Sequence, residues 1–307
     1  MRPPSTRPRR LRVPTHGLVG LLALFAAGCG GPGAGGADRL ESFVVDSAGV
    51  RVVENRLPPG GGLPPFAVLS EEPVWSLNAA RGAGQYGRPT EVRGAATLSD
   101  GRVAVADAGS FRVRFLRSDG EVWSMGGRGG GPGRFMGILG MGLGAGDTVW
   151  VSDPVSHEVT LVDPAGVESL EARLPMEAAV VGRFGDGSFL AVRPRPADAE
   201  GEARDRVVRD SVEYLRWSPL EGDTARVGLF PGGERLTLLG EEGEPVTLEP
   251  PLARGTSLAV GPGRIYLGDQ ERFEILGLDP DGTLRQVIRL TGVDRSVDEE
   301  LLATLSL

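Results

Sequence analysis

The chain has 307 residues, 40% of them hydrophobic, and carries 33 basic against 41 acidic residues for a net charge of −8. One Cys and two His exclude an internal disulfide framework, a cysteine-rich metal site and a histidine-based zinc cluster. The acidic balance argues against a nucleic-acid partner gripped by its phosphates. Gly (48) and Pro (24) recur between short apolar runs instead of filling one tract, which predicts a turn-rich all-β domain. Every basic residue is Arg, a bias we read as genome composition.

Residues 1–16 hold Arg2, Arg7, Arg9, Arg10 and Arg12 and no acid, and residues 17–27 form the apolar run GLVGLLALFAA. That run is too short for a bilayer span of about 20 residues and fits a secretory h-region. It ends in Ala26-Ala27-Gly28-Cys29, which resembles the bacterial lipobox, with Ala26 where that motif usually has Leu. The resemblance implies cleavage before Cys29, lipidation of Cys29 and attachment to the membrane through several acyl chains. An ordinary signal peptide with an incidental Cys is the alternative. Gly30 after the Cys resembles the signal for the outer membrane, facing periplasm or exterior. Cleavage sheds five arginines and no acid, leaving the body more acidic. The expected organisation is a signal peptide (1–28), a Gly-rich tether (29–41), a β-propeller (42–290) and a C-terminal linker with a short helix (291–307).

Residues 42–56 (SFVVDSAGVRVVENR) read as a hairpin and 66–77 as an extended strand. Three later segments align without gaps: GRVAVADAGSFRVRFLRSDGEV (101–122), DTVWVSDPVSHEVTLVDPAGVE (147–168) and GRIYLGDQERFEILGLDPDGTL (263–284). Each has an Asp at a strand end (Asp107, Asp153, Asp269), a charged residue five later (Arg112, Glu158, Glu274) and a Gly thirteen after the Asp (Gly120, Gly166, Gly282). Apolar residues alternate around them as half-buried strands require, and Asp-Gly pairs mark hairpin turns. Period and strand content predict propeller blades, whose faces are buried only by stacking. A degenerate unit runs from 185 to 230, with Arg193 in the Asp position and an acidic insertion within 193–211 that reads as a solvated loop or a docking flap. The expected blades are about 78–125, 130–173, 176–230 and 250–290. Residues 235–248 could supply part of a weak fifth, and the early hairpin would complete the last blade.

Val45-Asp46-Ser47-Ala48-Gly49-Val50, Gly94-Ala95-Ala96, Leu98-x-Asp100-Gly101, Val105-x-Asp107, Gly130-Gly131-Pro132-Gly133-x-Phe135 and Gly268-Asp269, in that order, resemble the bacterial six-bladed β-propeller lipoproteins with NHL-like repeats. The resemblance implies the fold and an envelope address, but no reaction. Only four sound blades are legible, which points to an incomplete ring, shortened at its C-terminus. Ser296 and Glu299 are spaced as a capping box for a terminal helix.

In a propeller the turns after each second strand and the connections between blades share one face. That face is expected to carry Asp107, Ser110, Arg112, Asp153, His157, Asp269 and Arg272, with Arg128 and Arg134 on the loop GGRGGGPG. Converging polar groups there form the candidate binding site. The competing reading makes each Asp a cap for its own turn, and Arg112 with Glu158 an inter-blade ion pair. The loop lacks the Lys-Ser/Thr of a phosphate-binding Walker motif. The reading is therefore an envelope propeller that binds a protein, peptide or glycan on this face, without a cofactor and more a binder than an enzyme. The alternative is a hydrolase or lyase with an Asp-bound metal such as Ca²⁺.

Overall fold

The computed structural model describes residues 40–58, 70–73, 88–118, 120–165, 168–196, 206–239, 244–293 and 296. The signal peptide with Cys29, most of the tether and the terminal helix lie outside them; of the extended strand expected at 66–77 only residues 70–73 are described, and they form a bend, not a strand. The described residues belong to one compact unit, Ala37–Leu307.

The architecture is a β-propeller of antiparallel blades, four of them described. The first blade holds β3 (Val92–Thr97), β4 (Val103–Asp107), β5 (Arg112–Arg117) and β6 (Gly120–Gly126). The second holds β7 (Gly140–Leu143), β8 (Val149–Asp153), β9 (Glu158–Val162) and β10 (Glu168–Arg173). The third holds β11 (Ala179–Arg183), β12 (Phe189–Arg195), β13 (Val207–Trp217), β14 (Thr224–Leu239) and β15 (Pro245–Leu248). The fourth holds β16 (Ser257–Gly261), β17 (Arg264–Gly268), β18 (Glu274–Leu278) and β19 (Leu284–Thr291). The early hairpin, β1 (Glu41–Ser47) and β2 (Val50–Arg56), joins this last sheet through a parallel pairing of β2 with β19.

Two sequence expectations change in detail. Residues 235–248 form no blade of their own: Leu236–Leu239 and Leu248–Pro245 pair at the outer edge of the third sheet. The insertion is shorter than its composition suggests. Arg195 already pairs with Ser211, and β13 and β14 run on beyond that point as a ribbon from Val207 to Leu239.

Three apolar cores lie between the four sheets, and strand alternation feeds them. In β8, Val149 and Val151 enter the first core with Phe115 and Phe135, while Trp150 enters the second. In β12, Phe189 and Ala191 enter the second core, and Leu190 enters the third with Ile265 and Leu278. A strand covered on both faces reads as a nearly continuous apolar run, as VWV and FLAV do. Trp150 meets the Phe189 ring edge-on at 6.3 Å, and Phe189 meets Trp217 at 5.7 Å, which knits the second and third blades. Truncating a ring this buried costs roughly 3–5 kcal/mol. The inner strands β3, β7, β11 and β16 touch in succession.

Candidate functional site

The turns β4–β5, β8–β9 and β17–β18 lie on one side of the sheets, and the aspartates show why. Asp107 Oδ1 accepts the amides of Thr90 and Glu91, both at 3.1 Å, and Oδ2 accepts the Ser110 hydroxyl at 2.5 Å. Asp153 Oδ2 accepts the amides of Met136 (2.6 Å) and Gly137 (3.2 Å), and its Oδ1 those of Val155 (2.9 Å) and Ser156 (3.2 Å). In both blades the clipped amides lie 17 and 16 residues upstream of the Asp. Each carboxylate thus fastens the chain entering its blade to the turn that follows its own strand. Amide hydrogen bonds to a carboxylate are among the stronger ones in a protein, and a buried one needs them to offset desolvation. Burial works to raise the Asp107 pKa; the bonds from Ser110, Glu91 and Thr90 and the charge of Arg114 outweigh it and hold the group below its ordinary value.

The third copy departs from this. Asp269 caps its own turn through the Glu271 amide at 3.0 Å. The upstream connection is held instead by Gln270, whose Oε1 accepts the Gly255 amide at 2.8 Å. Arg209, from the ribbon, donates Nη2 to the Asp269 carbonyl at 2.7 Å and Nε to the Gly232 carbonyl at 3.2 Å. A cavity of about 250 Å³ opens here, with Phe230, Pro231 and Leu276 as its apolar wall and Asp269, Glu271 and Arg272 at its rim. Arg272 also borders an open groove of about 700 Å³ on the face of the fourth sheet turned away from the third, where Ile275 and Phe273 are exposed.

His157 sits in a scaffold position. Its carbonyl accepts the Leu174 amide at 2.9 Å, just as Phe111 accepts from Gly127 (2.7 Å) and Phe273 from Leu290 (2.8 Å). Both Phe111 and His157 adopt a left-handed backbone, φ 55° and 59°. The aligned column Phe111, His157, Phe273 carried that signal in the sequence. His157 Nδ1 is buried without a hydrogen-bond partner among the described residues. In the degenerate third blade Arg193 replaces the Asp and, with Arg195, donates to Glu213 Oε2 at 2.5 and 2.7 Å. Those bonds, that from Arg193 first, hold the Glu213 carboxyl below its usual range. The expected Arg112–Glu158 ion pair is not found among the described residues; Glu274, in the third copy, pairs with Arg289 at 2.5 Å.

The glycine loop is a clasp. Phe135, 1% exposed, is driven into the first core, and its amide and carbonyl bond Gly127 O (3.1 Å) and Gly129 N (3.0 Å). Gly126 at φ 111° lies so close to Phe111 that an added Cβ would meet its carbonyl oxygen at 2.4 Å. Gly127, at φ 128°, has an open side instead: a Cβ there would find Arg112 Nη2 at 3.7 Å and Arg134 Nη1 at 4.0 Å. Arg128 stacks its guanidinium 5.5 Å over the Phe111 ring, a cation–π contact. Sequence reasoning placed Arg112, and the loop with Arg128 and Arg134, on this face.

No family model matches this chain, and no curated protein does. Solved structures are similar in fold. One is a protein of Bacteroides fragilis described as exported, with 12% identity, a TM-score of 0.44, and coverage of 73% of this chain and 58% of that one. A streptogramin B lyase gives 12% identity and a TM-score of 0.40 over 66% of this chain and 56% of its own. The glutaminyl cyclase of Myxococcus xanthus gives 15% identity and a TM-score of 0.34, over 69% and 78%. The chain thus spans less than two thirds of the first two. These likenesses concern the propeller-like all-β fold alone.

Proposed function

We propose that the protein is an exported, lipid-anchored envelope propeller that binds a protein, peptide or glycan through the face bearing the β4–β5, β8–β9 and β17–β18 turns. The observation that carries this reading is how the face is divided. Asp107 and Asp153, the acids a metal-dependent hydrolase would need, spend their oxygens on amides and a hydroxyl. The side chains between them differ from copy to copy (Ala108-Gly109-Ser110, Pro154-Val155-Ser156, Gln270-Glu271-Arg272) and stand where a partner would meet them. A repeated frame with variable turn residues is the usual layout of a recognition surface on a rigid scaffold.

The test is selective blocking. The full chain, with Cys29 as Ser, is screened against a panel of envelope glycans and peptides. A bulky maleimide is then fixed at Val155→Cys on the loop face or at Leu220→Cys in the β13–β14 turn on the opposite face; both side chains are exposed. Binding is expected to disappear with the first label and persist with the second. The reverse pattern contradicts the proposal.

A further inference from the structure

We propose that β1, the outermost strand of the six-stranded sheet, pairs antiparallel with β1 of a second copy, joining two propellers through one continuous sheet about a two-fold axis at Val44. Among the described residues no strand pairs with the outer edge of β1. All of its residues are exposed, Phe43, Val44 and Val45 by 49%, 56% and 57%. Soluble proteins blunt such an edge with Lys, Pro, a bulge or a very short strand. The strand ESFVVDS is seven residues long, holds neither Lys nor Pro, and pairs with β2 without a bulge.

The hydrogen-bonding phase of the free edge follows from its neighbours. The Leu57 amide, continuing β2, donates to the Thr291 carbonyl at 3.0 Å. Odd-numbered residues of β2 therefore present their amides and carbonyls to β19, and Val50, Val52, Glu54 and Arg56 present theirs to β1. Opposite those four stand Ser47, Val45, Phe43 and Glu41. The turn agrees: Ala48 and Gly49, at φ 54° and 83°, form a two-residue hairpin closed by the pair Ser47–Val50. Alternation leaves the amides and carbonyls of Ser42, Val44 and Asp46 pointing outward.

That outward set is its own complement. In the two-fold register centred on Val44, Val44 opposes Val44 of the second copy and Ser42 opposes Asp46 of the second copy. The free amides and carbonyls of the two strands then meet in hydrogen-bonded pairs along the whole strand. Phe43 falls opposite Val45 of the second copy at a non-hydrogen-bonded position, where side chains come closest. An aromatic ring against a β-branched residue is a favourable cross-strand pair. Glu41 falls opposite Ser47, so no acid meets an acid. Slipping to either adjacent symmetric register pairs only five of the seven residues, and slipping once more toward the C-terminus sets Asp46 against Asp46.

The pairing also suits two anchored chains. The two Glu41 residues would stand six residues apart along the paired strands, about 20 Å at a rise of about 3.4 Å per residue. Glu41 follows Cys29 by 12 positions, and such a stretch reaches up to about 40 Å. In the lipid-anchored reading both anchors therefore reach one membrane.

The experiment is sedimentation equilibrium and mild oxidation of the full chain in a Cys29→Ser background, which has no other cysteine. The chain is expected to sediment as a monomer–dimer equilibrium. Val44→Cys is expected to form a disulfide-linked dimer, since Cα atoms of a hydrogen-bonded pair lie about 5.5 Å apart. Val92→Cys, at a position also 56% exposed, is expected to stay monomeric. Val44→Lys and Val44→Glu are each expected to weaken dimerisation at least tenfold, and their mixture to recover it, because opposite charges then meet across the axis. Neither removes a hydrogen bond within the fold, and an unchanged far-ultraviolet circular dichroism spectrum establishes that each variant is folded. A monomer at every concentration overturns the proposal, as does a dimer that Val44→Lys leaves intact or that the mixture fails to restore. If Val44→Cys oxidised in cell envelopes links to other proteins and not to itself, a different partner occupies the edge and the second-copy assignment falls.

Discussion

Asp107 Oδ2 lies 3.8 Å from Arg114 Nη1, and neither side chain is exposed to solvent. Both belong to the first blade, one ending β4 and the other in the middle of β5. Removing one member of a buried ion pair costs about 3–5 kcal/mol. Asp107→Ala is therefore expected to destabilise by that amount in urea unfolding. Asp107→Asn is expected to lose less, because a carbonyl oxygen can still accept the Thr90 and Glu91 amides. A loss below about 1 kcal/mol for the Ala variant contradicts the clip, given a typical cost of about 1–3 kcal/mol per stranded polar group.

The same pair sets an acid limit. The Asp107 pKa is depressed in the folded chain, so ionised Asp107 stabilises the fold above the unfolded value of about 3.9. That contribution is lost as pH falls through the folded value. The stability gap between the wild type and Asp107→Asn is thus expected to be full near neutrality and to shrink as pH falls below about 4. A gap of the same size at pH 3 and pH 7 contradicts a charged clip.

Asp153 and Asp269 occupy matching sequence positions but different structural ones. Asp153 binds four amides and Asp269 one. Asp153→Ala is expected to cost roughly 3 kcal/mol or more and Asp269→Ala about 1 kcal/mol, since each bond to a charged group contributes about 1.5–3 kcal/mol and less when exposed. Chemical denaturation of the two variants side by side checks this. Equal losses mean the third copy is clipped like the others.

That contrast marks what was legible in the sequence. The blade pattern came from local signals: alternating valines, Asp-Gly turns, and an early hairpin that indeed joins the last sheet. The clip partners gave no local signal, because Thr90 and Met136 share nothing in side-chain chemistry; their amides do the work. The loss of the clip at Asp269 depends on Gln270 taking over its role, and the join of Pro245–Leu248 to the third sheet depends on strand register across a long ribbon. The convergence of Arg112, Arg128 and Arg134 depends on which way the glycine loop folds back, and that is decided by Phe135 entering the core.

Anchoring is tested at the other end of the chain. Cys29→Ser is expected to move the protein from the membrane pellet to the soluble envelope fraction, because one residue supplies the whole lipid attachment in this reading. Retention in the pellet after a high-salt wash contradicts a lipid anchor at that position.

The most direct measurement of the central claim is a hydrogen-exchange footprint of the full chain with and without the tightest ligand from the panel. The account predicts added protection confined to residues 107–112, 126–139, 153–158 and 269–274. Protection confined to the opposite turns at 184–188 and 218–223, with the glycine loop unchanged, would contradict it.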